Sequence, residues 1–250
     1  MKHSQQKPKK KSRAWIIILL VILIAVLLFS AYKIYEILSE WNEGTQSYSK
    51  VTEEFVTYTE ESEVPEVNFT ELQETYNASI GWVRIEGTRV DYPVAQWTNN
   101  SYYLNHLLDG TRNNNGTIFM DYRNNTDLSD RNTFIYGHHM KNGSMFGSLV
   151  GYKKQSYYEE HPIVEYITPE KTWRAEIFSA QIVDAGSDVF TLVYADDEEF
   201  NAYLKEMQKA SLIDTDVTVT AEDRILTLMT CTYEYDNARF VVQAKLVDEE

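Results

Sequence analysis

Residues 225–246 read ILTLMTCTYEYDNARFVVQAKL, two apolar runs joined by a polar segment. The first run, residues 225–230, has the composition of a buried strand. In the second run, residues 240–246, apolar side chains such as Phe240 and Val242 alternate with Gln243, which predicts another strand. If the two strands pair as neighbours, the turn between them brings Cys231 and Arg239 to the same end of a sheet.

The rest of the chain continues this β pattern. Short runs of β-branched and aromatic residues, separated by polar turns, predict further strands. These further strands span residues 82–85, 90–94, 116–120, 132–136, 163–167 and 173–182, in addition to the two above. So many short strands favour a closed or sandwiched β architecture. A helix is predicted over residues 196–208, where carboxylates at its start suit the helix dipole. A shorter helix is expected near residues 68–76, with Asn68 as its N-cap and Glu71 in its first turn.

The N-terminal region has a different character. Residues 14–32 read AWIIILLVILIAVLLFSAY, 19 residues without a charge. At about 1.5 Å per residue, this length nearly spans a hydrocarbon core of about 30 Å, so we predict a transmembrane helix. The alternative is a cleaved signal peptide, whose apolar region usually has about 7 to 15 residues and ends in a small-residue site. This stretch is longer, and Phe29 to Tyr32 match such a site poorly.

The charge distribution gives the membrane helix an orientation. Six basic residues lie within residues 1–13, before any acid, and form a basic segment that we expect to stay cytoplasmic. Residues 33–250 then lie outside the cell with 17 bases and 38 acids, a net charge of −21. Such a surface repels phosphates, so nucleic acid is not expected as a partner. Residues 33–67 are expected to form a helical or partly flexible stalk, and residues 68–250 the folded domain.

Cys231 is the sole cysteine, so the chain forms no internal disulfide. A lone cysteine is usually an inert apolar residue of the core. Here it stands at a strand end before a polar turn, in a domain expected outside the cell, which indicates a reactive thiol. A nucleophilic thiolate needs a nearby base or cation, and Arg239 is one candidate.

A histidine is the other candidate. His138 and His139 follow the strand 133–136 after Gly137, whose freedom permits a sharp turn that would aim a side chain at a cleft. A hydrogen-bonded structural role is the alternative for His138. Adjacent residues of a strand point to opposite faces, and no companion Cys or His has a metal-ligand spacing. We therefore expect neither a metal nor another cofactor.

These residues resemble the sortases, and most closely class B sortases. The run Thr227 to Cys231 with Arg239 is similar to the sortase signature, and Tyr136-Gly137-His138 is similar to the segment that carries its histidine. Further similar segments are Gly81 to Ile85, Asp91 to Val94, Asn100 to Leu104, Ile118 to Tyr122 and Gly143 to Phe146. The resemblance covers about residues 68–247, and the helix 196–208 matches a helix that class B members insert between two late strands.

The resemblance implies an eight-stranded sortase β-barrel with an N-terminal helical extension. It implies a membrane-anchored cysteine transpeptidase with its catalytic domain outside a Gram-positive cell. Such an enzyme cleaves the C-terminal sorting signal of exported surface proteins through a thioacyl intermediate. It then transfers them to an amine, commonly on peptidoglycan or its precursor.

The same resemblance assigns roles to individual residues. Cys231 is the expected nucleophile, His138 the acid and base, and Arg239 the cation that stabilises the oxyanion or holds the substrate. Residues expected to bind the substrate are Asn100, Leu104, Tyr136 and Thr230. The chain departs from many class B members at Met229, where they have serine, so the hydroxyl donor of that position is absent.

Three other interpretations compete with this one. Papain-like enzymes usually place the cysteine before the histidine, whereas His138 precedes Cys231 here. L,D-transpeptidases have Ser-His-Gly-Cys near the nucleophile, where this chain has Met-Thr-Cys. A membrane-anchored binding or adhesion domain without catalysis would instead keep Cys231 buried and unreactive. The sequence leaves the sorting motif and the amine acceptor undefined.

Overall fold

The computed structural model describes residues 13–59 and 64–247. They belong to two compact units, of which the first ends at Asn42 and the second begins at Glu43. The basic segment predicted at residues 1–13 lies almost entirely outside the described residues.

One helix, α1 (Arg13–Phe55), enters both units. In the first unit it carries the apolar stretch, and its large side chains from Trp15 to Phe29 are exposed. The helix is long and apolar enough to cross a membrane, with a mean hydropathy of 3.0 over its most apolar window. The predicted apolar helix is therefore present, and it continues beyond residue 32.

The second unit contains the end of α1 and the rest of the described chain. Its helices and strands follow in this order: β1 (Val56–Thr57), β2 (Glu66–Val67), α2 (Phe69–Thr75), β3 (Ser79–Arg84), β4 (Asp91–Ala95), β5 (Ile118–Met120), β6 (Asn132–Tyr136), α3 (Gln155–Glu160), β7 (Ile163–Ile167), β8 (Thr172–Asp184), α4 (Asp197–Ala210), β9 (Ile225–Cys231) and β10 (Ala238–Val247). Short 3₁₀ helices lie at Tyr102–Leu104, Gly147–Lys153 and Asp188–Phe190.

Strands β3 to β10 close a barrel in the order β10-β8-β7-β3-β4-β5-β6-β9. Neighbours are antiparallel except for the parallel pairs β4–β5 and β6–β9. The predicted closed architecture of eight strands is confirmed. The small pair β1–β2 and helix α3 were not predicted, because both are too short to give a clear periodic pattern.

The two predicted helices of this unit begin at polar caps. Asn68 Oδ1 accepts a hydrogen bond from the Glu71 amide at 3.3 Å, as predicted for α2. Asp196 Oδ1 accepts one from the Glu199 amide at 2.9 Å and starts α4. The buried face of α4 packs on the barrel, and each of its large apolar side chains contributes about 1.5 to 3 kcal/mol through burial. That face consists of Phe200, Tyr203, Leu204 and Met207.

The end of α1 also packs in the second unit. Tyr48, Val51 and Phe55 are buried there, and the Tyr48 hydroxyl donates a hydrogen bond to the Gly116 carbonyl at 2.6 Å. Residues 43–55 thus contact the barrel, although we expected residues 33–67 to form a stalk. Their apolar positions recur at helical spacing among many glutamates, and the overall polarity of the segment hides this stripe.

Buried polar contacts fix the register of the strands that carry the site. Thr227 of β9 donates to Asn132 of β6 at 2.7 Å, and Gln243 of β10 donates to the Tyr203 hydroxyl at 2.8 Å. A one-residue slip would bury these groups without partners, so the network specifies a single strand alignment.

Candidate active site

The turn from β9 to β10 places two candidate residues side by side. Arg239 is the direct partner of Cys231 in the antiparallel register. Asn237, in a left-handed conformation with φ 65°, ends the connection, and the Thr232 amide donates to the Ala238 carbonyl at 3.1 Å. The predicted juxtaposition of Cys231 and Arg239 at one end of the sheet is confirmed. Cys231 is partly exposed.

The parallel neighbour β6 brings in the histidine. Tyr136 is the register partner of Met229, and the Gly137 amide donates to the Met229 carbonyl at 3.0 Å. The chain therefore leaves β6 next to the end of β9. His138 Nε2 lies 2.6 Å from the Leu104 carbonyl oxygen. Because a carbonyl oxygen only accepts, this contact assigns the hydrogen to Nε2.

Gly137 does not use the left-handed conformation that is open to glycine. A Cβ at this position would lie 2.4 Å from Ile118 Cδ1 and 2.7 Å from the Phe146 ring. The absence of a side chain is therefore required by packing under the histidine segment.

A cleft of about 450 Å³ collects the predicted residues. Its lining consists of Asn100, Leu104, Phe119, Tyr136, Gly137, His138, Ala185, Phe190, Met229, Thr230, Cys231 and Arg239. All seven residues singled out from the sequence are among them. Thr230 is only 2% exposed, so its side chain adds little surface to the cleft. In the described part of the chain, no three His, Cys, Asp or Glu side chains come together as a metal site requires.

One wall of the cleft is apolar. Met229 alternates with Thr230 along β9 and shares a strand face with Cys231. Met229 and Phe190 also pack against the apolar cluster between the barrel and α4. Phe119, Ala185 and Phe190 were missed from the sequence. Phe190 and Ala185 lie between β8 and α4, and no strand or helix pattern indicates which residues of such a connection reach a cleft.

Asn100 and Tyr136, two other lining residues, rest on a carboxylate that sequence reasoning did not single out. Asp121 is fully buried and accepts hydrogen bonds from Asn100 Nδ2 and from the Tyr136 hydroxyl, both at 2.8 Å. Burial raises the pKa of Asp121, but hydrogen bonds from Arg123, Tyr136 and Asn100 outweigh it and hold that pKa below its usual value. Burial and the neighbouring Asp121 raise the pKa of Tyr136, so its hydroxyl stays protonated.

His139 does not line the cleft. Its Nδ1 lies 2.9 Å from the Cys231 carbonyl oxygen, and its ring contacts the Tyr233 ring at 5.0 Å between centroids. His139 therefore supports the main chain of Cys231, whereas His138 faces the cleft.

The barrel and this cleft define a sortase. A family model, the sortase domain, matches residues 83–247. Sortase B of Staphylococcus aureus is 31% identical over 240 residues, which cover 95% of this chain and 98% of that protein. The chain therefore belongs to the sortase B family and is a cysteine transpeptidase, which excludes the non-catalytic adhesion domain.

Solved structures agree with this assignment. The crystal structure of sortase B from B. anthracis in complex with AAEK1 superposes with a TM-score of 0.75 and 34% identity. The superposed region covers 85% of this chain and 100% of the B. anthracis chain. A Staphylococcus aureus sortase B–substrate complex superposes with a TM-score of 0.69 and 30% identity, covering 89% of this chain and all of that one.

Proposed function

We propose that the chain cleaves the C-terminal sorting signal of exported surface proteins and transfers them to an amine of the cell-wall peptidoglycan or its precursor. Cys231 is the nucleophile, His138 the acid and base, and Arg239 the cation at the reacting carbonyl. The observation that carries the proposal is the convergence of these three side chains in one cleft, although His138 and Cys231 stand 93 residues apart in sequence.

The first half-reaction forms a thioester. The Cys231 thiolate attacks the scissile carbonyl carbon, and the carbonyl electron pair moves to oxygen as an oxyanion. Arg239 stabilises that oxyanion, since its guanidinium group is positively charged and can donate two parallel hydrogen bonds. The carbon–nitrogen bond then breaks. The leaving amine takes a proton from His138, because an unprotonated amine leaves poorly.

The second half-reaction reverses these roles. An acceptor amine loses a proton to neutral His138 as its nitrogen attacks the thioester carbonyl. The new amide forms, and the Cys231 thiolate departs. His138 is then protonated again and Cys231 is a thiolate, so both are ready for another turnover.

The walls of the cleft suit an extended peptide next to Cys231. Apolar side chains such as Leu104 and Phe190 offer contact area, while Asn100 offers a hydrogen-bonding amide. We assign Asn100, Leu104, Tyr136 and Thr230 to substrate binding. The related Staphylococcus aureus enzyme has been solved in complex with a substrate, which supports a peptide ligand for this cleft.

The N-terminal helix fits a membrane anchor. Residues 14–32 are apolar and preceded by basic residues, and residues 15–32 are exposed, so the anchor would leave residues 1–13 in the cytoplasm and the barrel outside the cell. Mass spectrometry of the membrane-extracted protein tests this. Retention of Trp15 to Tyr32 supports an anchor, whereas a mature chain that begins after residue 32 shows a cleaved signal sequence.

Intact mass of the full chain in detergent micelles tests the chemistry. The protein is incubated with a panel of peptides that carry sorting-type motifs, and triglycine is then added as the amine. We expect an acyl adduct that triglycine removes, and no adduct with Cys231→Ala. An adduct on Cys231→Ala would contradict the nucleophile assignment. If no peptide forms an adduct while iodoacetamide alkylates Cys231 readily, the sorting-signal proposal is wrong for the motifs in the panel.

A further inference from the structure

Asp121 is a charged side chain enclosed directly under the substrate cleft. Its relative exposure is 0%, and it follows β5 at the point where the chain leaves the barrel wall. Neither Cys231 nor His138 is among the hydrogen-bond partners of Asp121. The reaction steps above do not use it.

The carboxylate is fully provided with donors. Oδ1 accepts from the Arg123 amide at 3.0 Å and from Arg123 Nε at 2.9 Å. Oδ2 accepts from Arg123 Nη2, Asn100 Nδ2 and the Tyr136 hydroxyl, each at 2.8 Å. A buried charge is stable only when paired and hydrogen-bonded, and this one is. Every one of these partners donates to Asp121, so the position requires a side chain that only accepts hydrogen bonds, such as an ionised carboxylate.

The consequence for Asn100 is a fixed amide orientation. Asn100 Nδ2 donates to Asp121, while Asn100 Oδ1 accepts from the Tyr122 amide at 3.0 Å. A flipped amide would face its oxygen to the carboxylate and its NH₂ to an N–H group. The second amide hydrogen of Asn100 is therefore left for a ligand of the cleft in one defined position.

Tyr136 is held by the same carboxylate. Its hydroxyl is turned to Asp121, and the Tyr136 ring lines the cleft. Asp121 thus fixes the orientation in which the Asn100 amide and the Tyr136 ring are presented to a ligand of the cleft.

We propose that Asp121 is a positioning residue for the acyl-donor peptide, which acts by fixing the Asn100 amide and the Tyr136 hydroxyl beneath the cleft. The proposal rests on the proposed function for the identity of the ligand. It assigns Asp121 to peptide binding through Asn100 and excludes it from the chemistry at Cys231.

Steady-state kinetics of the full-length protein test this role. With the panel peptide that gives the most adduct, Asp121→Asn should raise KM about 10-fold or more and change kcat less than about 3-fold. Asp130→Asn is the matched control, because Asp130 accepts hydrogen bonds in the same loop from Asn124 and Asn125, outside the cleft. Asp130→Asn should leave KM unchanged even if it lowers the melting temperature as much as Asp121→Asn does. Equal KM changes in both variants would reduce Asp121 to a structural residue and overturn the proposal.

A double-mutant cycle tests the route through Asn100. If Asp121 acts through Asn100, Asp121→Asn should add less than about 3-fold to the KM of Asn100→Ala. Fully additive effects would overturn the proposal. Asn100→Asp serves if Asp121→Asn fails to fold, since it replaces the donor that meets the carboxylate with a negatively charged oxygen and keeps an acceptor for the Tyr122 amide. It should lose as much binding as Asn100→Ala, and near-normal KM would contradict the mechanism.

A readout independent of catalysis separates this inference from the proposed function. In ¹⁵N-labelled protein, the two Asn100 side-chain NH₂ signals should lie far from their random-coil shifts, and the hydrogen bonded to Asp121 should exchange slowly with solvent. In Asp121→Asn, but not in Asp130→Asn, these signals should move towards random-coil shifts and exchange faster. This result supports the positioning role even if no panel peptide reacts. Unchanged Asn100 signals in Asp121→Asn would overturn it even if the enzyme is active.

Discussion

Arg239 lies directly across from Cys231 in the antiparallel pair formed by β9 and β10. The pairing makes the distance between the main chains of these two residues a property of the sheet. A six-residue polar connection links the two strands, yet both residues belong to the ladder itself. The position of Arg239 relative to Cys231 therefore does not depend on how this connection moves.

Replacing Arg239 with lysine should reveal what the guanidinium fork contributes. We expect kcat/KM to fall about 10²-fold, because a point charge cannot donate two parallel hydrogen bonds to the oxyanion or the substrate. Peptide turnover and melting temperature should be measured together. Arg131→Lys is the control, since Arg131 pairs with Asp197 outside the cleft. Near-normal turnover of Arg239→Lys would show that charge alone suffices.

The two adjacent histidines should respond differently to alanine. His138→Ala should lower kcat about 10²-fold to 10⁴-fold through loss of the general acid. His139→Ala removes the contacts of its ring with the Cys231 carbonyl and the Tyr233 ring but leaves the residues of the cleft in place, so we expect a loss of about 10-fold or less. The pH dependence of kcat should change in His138→Ala alone. A larger loss in His139→Ala would mean that the histidine was assigned one position too early.

The fold could be predicted from the sequence where patterns are long and local. The helices 69–75 and 197–210, and all eight barrel strands, follow from periodicity and turn residues, with ends displaced by at most three residues. The pairing of Cys231 with Arg239 was predictable because a single turn joins their strands. The parallel pairing of β6 with β9, in contrast, joins segments far apart in sequence. Its register depends on buried partners such as Asn132 and Thr227, which no local pattern indicates.

The site was predictable only in part for a similar reason. Motif resemblance singled out residues that face the cleft, and all of them line it. The role of Asp121 was not predictable, because it arises from donors on three separate stretches of chain. The stripe of Tyr48, Val51 and Phe55 was hidden by the surrounding acids.

Acid should weaken the fold in part through Asp121. Its pKa is lowered in the folded state, so the ionised carboxylate contributes stability above the ordinary carboxyl pKa of about 3.9. That contribution is lost as the pH falls below this value towards the folded pKa. Urea unfolding between pH 3 and pH 7 should give a steeper acid loss for the unmodified protein than for Asp121→Asn. Equal slopes would show that the carboxylate is not preferentially ionised in the fold.

Met229 should affect stability and substrate choice more than chemistry. Met229→Ser removes apolar contact with the cluster that includes Phe190, so we expect a loss of about 1 to 2 kcal/mol in the free energy of unfolding. Acylation by the best panel peptide should fall less than about 10-fold, since the reacting groups are untouched. Ranking the panel peptides with both proteins checks this, and the serine variant should shift towards peptides with polar side chains. An unchanged ranking with a large loss of kcat would place Met229 in the chemistry.

Gly116 should be essential for the position of His138. Its φ of +60° strains any other residue, and a Cβ there would lie 2.4 Å from the Tyr103 carbonyl oxygen and 3.1 Å from His138 Cδ2. Gly110 has a similar φ of +81°, but its nearest neighbour would be the Tyr102 hydroxyl at 3.3 Å. Both alanine variants should therefore lose about 1 to 2 kcal/mol of stability from backbone strain.

Only Gly116→Ala should also lose turnover, by about 10-fold or more, because the added methyl group displaces the 3₁₀ segment whose Leu104 carbonyl holds His138. The loss should fall on kcat, measured by turnover of the best panel peptide. If Gly110→Ala loses as much turnover as Gly116→Ala, general strain rather than displacement of the imidazole explains the effect. If neither loses turnover, the contact between His138 and the Leu104 carbonyl is not needed for catalysis.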